Sequence, residues 1–235
     1  MQQMVKVKIC GVTNLADAET AVSAGADYLG FIFYPKSKRA ITQAEARAIV
    51  AQLRTRPDCP HLVGVFVNET AETIARILDE CQLDLAQLSG EEVPWMVGDP
   101  RSPIYGRAYK ALRPASLPEA EAEAEWYIPP QFTNQPPQRR PNHPALLIDT
   151  WHPVLRGGTG QTGNWEMSAH LAHTIPNLML AGGLTPENVA EAVRQVRPFA
   201  VDVASGVEFS PGQKDPDKVR TFIHRAKNSL TENQP

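Results

Sequence analysis

The chain is poor in several things, and each shortage closes off a class of protein. It has 3 cysteines in 235 residues: Cys10, Cys59 and Cys81. An odd, sparse set does not build a disulfide framework and is what a reducing compartment permits. No Cys-X-X-Cys pair or His/Cys cluster has metal-ligand spacing, so no metal site is expected. No apolar run approaches the ~18 residues of a membrane span. Residues 1–8 are polar and lack the pattern of a signal peptide. An excess of one charge is missing too. The 23 Lys and Arg against 26 Asp and Glu give a formal net charge of −3, with no basic stripe for a polyanion. The expectation is a cytoplasmic protein with no nucleic-acid partner and no membrane partner.

What is present is an alternation. Apolar runs recur at 5–9, 28–33, 62–68, 83–88, 105–112, 145–149, 177–181 and 199–203. They are rich in Val, Ile, Leu and aromatics, as buried parallel strands are. Helix signals separate them. Thr42 and Glu45 make a capping box ahead of Ala46, Ile49, Val50 and Leu53. Ile74, Ile77, Leu78 and Cys81 repeat that stripe. Thr185-Pro186 and Asp215-Pro216 each pair an N-cap with proline at the first helical position. The stretches after Asn14 and around Trp165 are weaker helix candidates. Eight strands alternating with helices leave two architectures, a closed (β/α)8 TIM barrel or an open doubly wound sheet. The count of eight, with no remainder for a second domain, favours a single-domain barrel over residues 1–235. Segment 113–144 is rich in Pro and Glu. Residues 118–126 predict the fifth helix, and 129–144, with Arg139 and Arg140, predict a surface insertion. Residues 228–235 are expected to fray.

In such folds chemistry gathers at the carboxyl ends of the strands. The first run ends in Lys8-Ile9-Cys10-Gly11, where alternation puts Lys8 and Cys10 on one face. Cys10 is either a base or nucleophile at the rim or a small buried hydrophobe. Cys59 and Cys81 read as structural. The sixth run ends in Asp149, a candidate general acid or base, or else a cap for the next loop. The glycines at 158, 160 and 163 spell GxGxxG, but residues 151–156 separate them from the strand and no Lys follows, so neither a dinucleotide fold nor a P-loop is indicated. A flexible glycine-rich loop remains. The last two runs end in Gly182-Gly183 and Ser205-Gly206, a matched pair suited to phosphate. Arg39, in a basic loop after the second run, can hold a carboxylate bidentately or stay a solvated turn. Asn68-Glu69-Thr70 is a glycosylation pattern without a secretory signal.

Together these segments resemble the phosphoribosylanthranilate isomerase family from end to end. The resemblance runs through Lys8-Ile9-Cys10-Gly11, Phe33-Tyr34-Pro35-Lys36-Ser37 with Arg39, Val63-Gly64-Val65-Phe66-Val67-Asn68, and Leu147-Ile148-Asp149-Thr150. It continues through Gly157-Gly158-Thr159-Gly160, Ala181-Gly182-Gly183-Leu184 and Ser205-Gly206-Val207-Glu208. It implies an Amadori rearrangement of N-(5-phosphoribosyl)anthranilate in tryptophan biosynthesis. Asp149 would be the general acid and Cys10, as thiolate, the general base. Arg39 would meet the anthranilate carboxylate, and Gly183, Ser205 and Gly206 would hold the phosphate. No metal or organic cofactor is implied. The expected partner is a small phosphorylated substrate, and the expected state a monomer or homodimer. Lys8 is expected to lower the Cys10 pKa, and Asp202 to face or brace the site without an assigned role. Three departures stand out: Ser89-Gly90 where the family has His-Gly, Gly163-Asn164-Trp165 where it has Phe-Asp-Trp, and a longer Pro-rich insertion. A related barrel of histidine synthesis would carry aspartate at position 10. An inactive binding module would be expected to have lost Cys10 or Asp149.

Overall fold

Eight parallel strands close into one ring in chain order. They are β1 (Lys6–Cys10), β2 (Tyr28–Ile32), β3 (His61–Phe66), β4 (Leu85–Leu88), β5 (Ala108–Leu112), β6 (Leu146–Asp149), β7 (Leu178–Ala181) and β8 (Ala200–Val203). β1 pairs with both β2 and β8, which seals the ring. The computed structural model describes residues 4–128, 142–149 and 165–230. Among these, no helix is long and apolar enough to cross a membrane.

Strand alternation sorts the side chains into two layers. Tyr28, Val63, Leu85, Tyr109, Leu147, Met179 and Ala200 form the inner cluster. Ile9, Leu29, Leu62, Ala86 and Val201 point the other way and join the helices in the main core. Side-chain caps open most of the helices. Asn14 caps α1 (Leu15–Ser23), and the Thr42–Glu45 box caps α2 (Gln43–Leu53). Thr70 caps α3 (Ala71–Glu80), and Ser116 caps α5 (Leu117–Tyr127). The ring is completed by α6 (Trp165–Thr174), α7 (Val189–Val196) and α8 (Pro216–Asn228), the last capped by Asp215.

Five details depart from the sequence reading. α7 starts at Val189 behind Asn188, which makes no side-chain cap bond, and not at the Thr185-Pro186 pair, which forms a turn ahead of it. The fourth helix, α4 (Trp95–Gly98), is a single turn. β5 starts at Ala108, because Gly106 takes φ +71 and Arg107 N–H bonds to Ile104 O in a turn. β3 stops at Phe66, and Asn68 lies at φ 58, outside strand geometry. After β8 a small antiparallel hairpin appears, β9 (Glu208–Ser210) with β10 (Gln213–Lys214). It turns at Gly212, φ +83.

Candidate active site

Lys8 and Cys10 share the inward face of β1, as alternation requires. Lys8 is fully buried. A buried ammonium is tolerable only when paired and hydrogen-bonded. Its Nζ donates to Asp202 Oδ1 of β8 at 2.9 Å and to Gln87 Oε1 of β4 at 2.9 Å. Tyr109 OH donates to the same Gln87 oxygen at 3.0 Å, and Gln87 Nε2 donates to Ser89 Oγ at 3.1 Å. Ser89, one of the family departures, therefore closes a polar stack threaded through the barrel. Burial opposes the Lys8 charge. Asp202 outweighs it and holds the ammonium above its ordinary pKa.

Cys10 is buried one step above Lys8, and its register partner is Gly30 of β2. A Cβ at position 30 would lie 2.7 Å from Cys10 Sγ and 3.2 Å from Lys8 Nζ. The missing methyl makes the space for the thiol. Burial pushes the Cys10 thiol up and Asp202 adds to that rise, while Lys8 pulls it down and Lys214 does so more weakly. The net direction is upward. The expected lowering by Lys8 is present, but burial exceeds it.

Asp149 ends β6, aligned with Ala181 of β7. It shares the inward face with Leu147 and keeps partial exposure, with Arg113 Nε 3.3 Å from Oδ2. Going round the ring from β6 to β1, the two strands passed are β7 and β8. Their turns are in direct contact: a Cβ at Gly206 would stand 1.9 Å from Leu184 O. Gly182 and Gly183 take φ +99 and +64, which other residues rarely adopt. Ser205 opens a single 3-10 turn, Ser205–Val207, and Asn188 Nδ2 braces Gly183 O at 3.0 Å.

Arg39 follows β2 and folds back over Gly11, whose Cβ would stand 2.7 Å from Arg39 Cδ. Its guanidinium is not a solvated turn. Nε donates to Glu208 Oε1 at 2.7 Å and Nη2 to Glu208 Oε2 at 2.6 Å. Lys214, in the same hairpin, donates to Glu208 Oε1 at 2.9 Å, to Cys10 O at 2.7 Å and to Ala204 O at 3.1 Å. Burial would raise Glu208, but the hydrogen bonds from Arg39 and Lys214 hold its carboxyl below the usual range.

Cys10, Arg39, Asp149, Gly183, Ser205 and Gly206 all lie at the carboxyl ends of strands or in the loops that leave them. Cys59 and Cys81 lie elsewhere, at the loop before β3 and the end of α3. Residues 157–163 and 129–141 fall outside the described residues. Sequence reading missed Gln87, Tyr109 and Lys214, and gave Glu208 no role. Asp202 now has a function as counter-ion to Lys8. The clue for Lys214 was available, because a lysine directly before the Asp215-Pro216 cap lies next to the barrel's last rim loop.

A closed (β/α)8 ring whose buried and half-buried polar side chains gather at one rim defines a TIM-barrel enzyme. The model of the N-(5'-phosphoribosyl)anthranilate (PRA) isomerase family matches residues 7–225. The chain is 45% identical over 227 residues to N-(5'-phosphoribosyl)anthranilate isomerase of Trichlorobacter lovleyi, covering 97% of this chain and 100% of the relative. The crystal structure of phosphoribosyl anthranilate isomerase from Thermotoga maritima superposes with a TM-score of 0.77 at 40% identity, covering 96% of this chain and 100% of that one. A phosphoribosyl anthranilate isomerase in complex with reduced 1-(o-carboxyphenylamino)-1-deoxyribulose 5-phosphate superposes at 0.74 with 38% identity, again over 96% of this chain and 100% of that one. The chain belongs to the phosphoribosylanthranilate isomerase family. With that membership comes the isomerisation of N-(5'-phosphoribosyl)anthranilate, a step of tryptophan biosynthesis.

Proposed function

We propose that this barrel rearranges its substrate with Asp149 as general acid and Cys10 as general base. Asp149 gives a proton to the ribose ring oxygen as the C1–O bond breaks, leaving a protonated Schiff base at C1. Cys10 takes the proton from C2, and the electron pair moves to give an enolamine. The enolamine then gains a proton at C1 and loses one from the C2 hydroxyl, which yields the 1-deoxyribulose ketone. The backbone turns at Gly183, Ser205 and Gly206 hold the phosphate, and Arg39 meets the carboxylate of the anthranilate ring. The ring order carries this reading. Acid and base stand on β6 and β1, and the strands between them bring the two touching glycine turns. A phosphate anchored there has one catalytic strand on either side.

The elevated thiol requires that Cys10 lose its proton before or during C2 abstraction. The rising limb of activity against pH, set by loss of the thiol proton, is therefore expected above neutrality rather than below it. The net negative charge without a basic stripe supports a small-molecule partner and no nucleic acid. We place the enzyme in the cytoplasm, as a monomer or homodimer, with no membrane partner.

The direct test supplies the purified chain with phosphoribosylanthranilate made in situ and follows loss of substrate fluorescence. Turnover, and rescue of a tryptophan auxotroph that lacks this step, are the expected results. Tight binding of the reduced product analogue without turnover would make the chain a binding module instead. The phosphate anchor has its own test. Gly206→Ala forces a methyl against Leu184 O and pushes the two turns apart. KM is expected to rise about tenfold, the scale of one lost charge-assisted hydrogen bond, with a smaller change in kcat. An unchanged KM would remove these turns from the phosphate site.

A further inference from the structure

Arg39 presents two edges for bidentate recognition. One edge, Nε with Nη2, is fully used by Glu208. The other edge, Nη1 with the second Nη2 proton, has no partner among the described residues. The side chain is 23% exposed, whereas that of Glu208 is only 5% exposed. Glu208 is itself saturated. Its Oε1 accepts from Arg39, from Lys214 Nζ at 2.9 Å and from Gly212 N–H at 3.3 Å, and its Oε2 accepts from Arg39.

Two routes are open to an incoming carboxylate. It can displace Glu208 from Arg39, or it can take the second edge. Displacement would leave a nearly buried carboxylate stripped of its best partner, which is among the costlier things a protein interior can do. The second edge costs no such rupture. Charge points the same way, since Arg39 and Lys214 against Glu208 leave this hydrogen-bonded cluster one positive charge in surplus.

We propose that Glu208 is a positioning residue: it keeps the Nε–Nη2 edge of Arg39 throughout and aims the Nη1–Nη2 edge at an aryl carboxylate, so that it sets specificity for carboxylated over uncarboxylated substrate. This rests on the reading of Arg39 given above. Lys214 ties the same carboxylate to the backbone of Cys10, so the carboxylate-binding end is registered directly against the reacting end.

The test is calorimetry with two probes: reduced 1-(o-carboxyphenylamino)-1-deoxyribulose 5-phosphate and its phenylamino counterpart without the carboxyl group. Wild type is expected to prefer the carboxylated probe at least about tenfold. In Glu208→Gln that preference falls to about twofold or less, while the uncarboxylated probe binds as before. Tighter binding of the carboxylated probe by Glu208→Gln would make Glu208 a competitor and overturn the proposal, as would an unchanged preference. Equal affinity of wild type for the two probes would instead overturn the assignment of Arg39. A measurement on wild type covers the case where Glu208→Gln does not fold. The Arg39 Nε–H resonance, assigned by its loss in Arg39→Lys, is expected to hold its position when the carboxylated probe binds, while the Nη1 protons slow their rotation. A large move of the Nε–H signal means that Glu208 has been displaced.

Discussion

Replacing Cys10 with serine, or Asp149 with alanine, lowers kcat/KM roughly 10²- to 10⁴-fold in each case, the range that one positioned acid or base contributes. The loss falls on kcat. Neither change touches the turns at Gly183 and Gly206, so affinity for the reduced product analogue stays within a fewfold of wild type. Stability should barely move. Serine fits the hollow over Gly30, and the Arg113–Asp149 pair is solvent-facing at its arginine end. Exposed pairs of that kind contribute about 0–1 kcal/mol. A Cys10→Ser enzyme within fivefold of wild type would mean that the thiol is not the base, and the same result for Asp149→Ala would strip that residue of its role.

The second large effect is on Lys8. Lys8→Met leaves the mostly buried Asp202 facing β1 without its counter-ion. Removing one partner of a buried pair costs about 3–5 kcal/mol. For a domain of this size that is a drop in Tm of about 10 °C. A kinetic signature accompanies it. Lys8 lowers the pKa of Cys10 and Asp202 raises it, so losing the ammonium alone moves the thiol further up. The rising limb of kcat/KM shifts to higher pH. The double variant Lys8→Met/Asp202→Asn removes both charges. It should recover much of the Tm and bring the limb part of the way back. Unchanged apparent pKa values in Lys8→Met would show that the ammonium does not act on the thiol, whatever it does for stability.

The elements that sequence reading located are those encoded locally. Thr42 with Glu45 and Asp215-Pro216 announce helix starts directly, and runs such as Leu147-Ile148-Asp149 announce a strand and its end together. Signals so short are readable without knowing the fold. The candidate site residues were picked out because strand ends are where a barrel exposes polar groups. Their partners did not emerge. Lys8 and Asp202 are 194 residues apart, Arg39 and Glu208 169, and Lys214 reaches the Cys10 carbonyl across 204. No local pattern encodes a pairing of that reach. The same distance hides the sign of the Cys10 shift, since Lys8 two residues away is legible and burial by the whole ring is not. The hairpin that holds Glu208 and Lys214 was missed for another reason. Strands of three and two residues are too short for any periodicity to register. β5 was read too long because Tyr105 continues the apolar pattern, while Gly106 breaks the geometry.

The hollow over Gly30 has a consequence for anyone wishing to redesign this enzyme's chemistry. Barrels that handle related sugar phosphates can place different reactive groups on the first strand, and here the size of that group is dictated from the neighbouring strand. With sulfur already occupying the place of a methyl, a directed-evolution library at position 10 samples only what an unsubstituted position 30 admits. The two codons are thus a single locus for selection. Exchanges of the reactive group will survive on backgrounds that keep glycine at position 30 and vanish from those that do not.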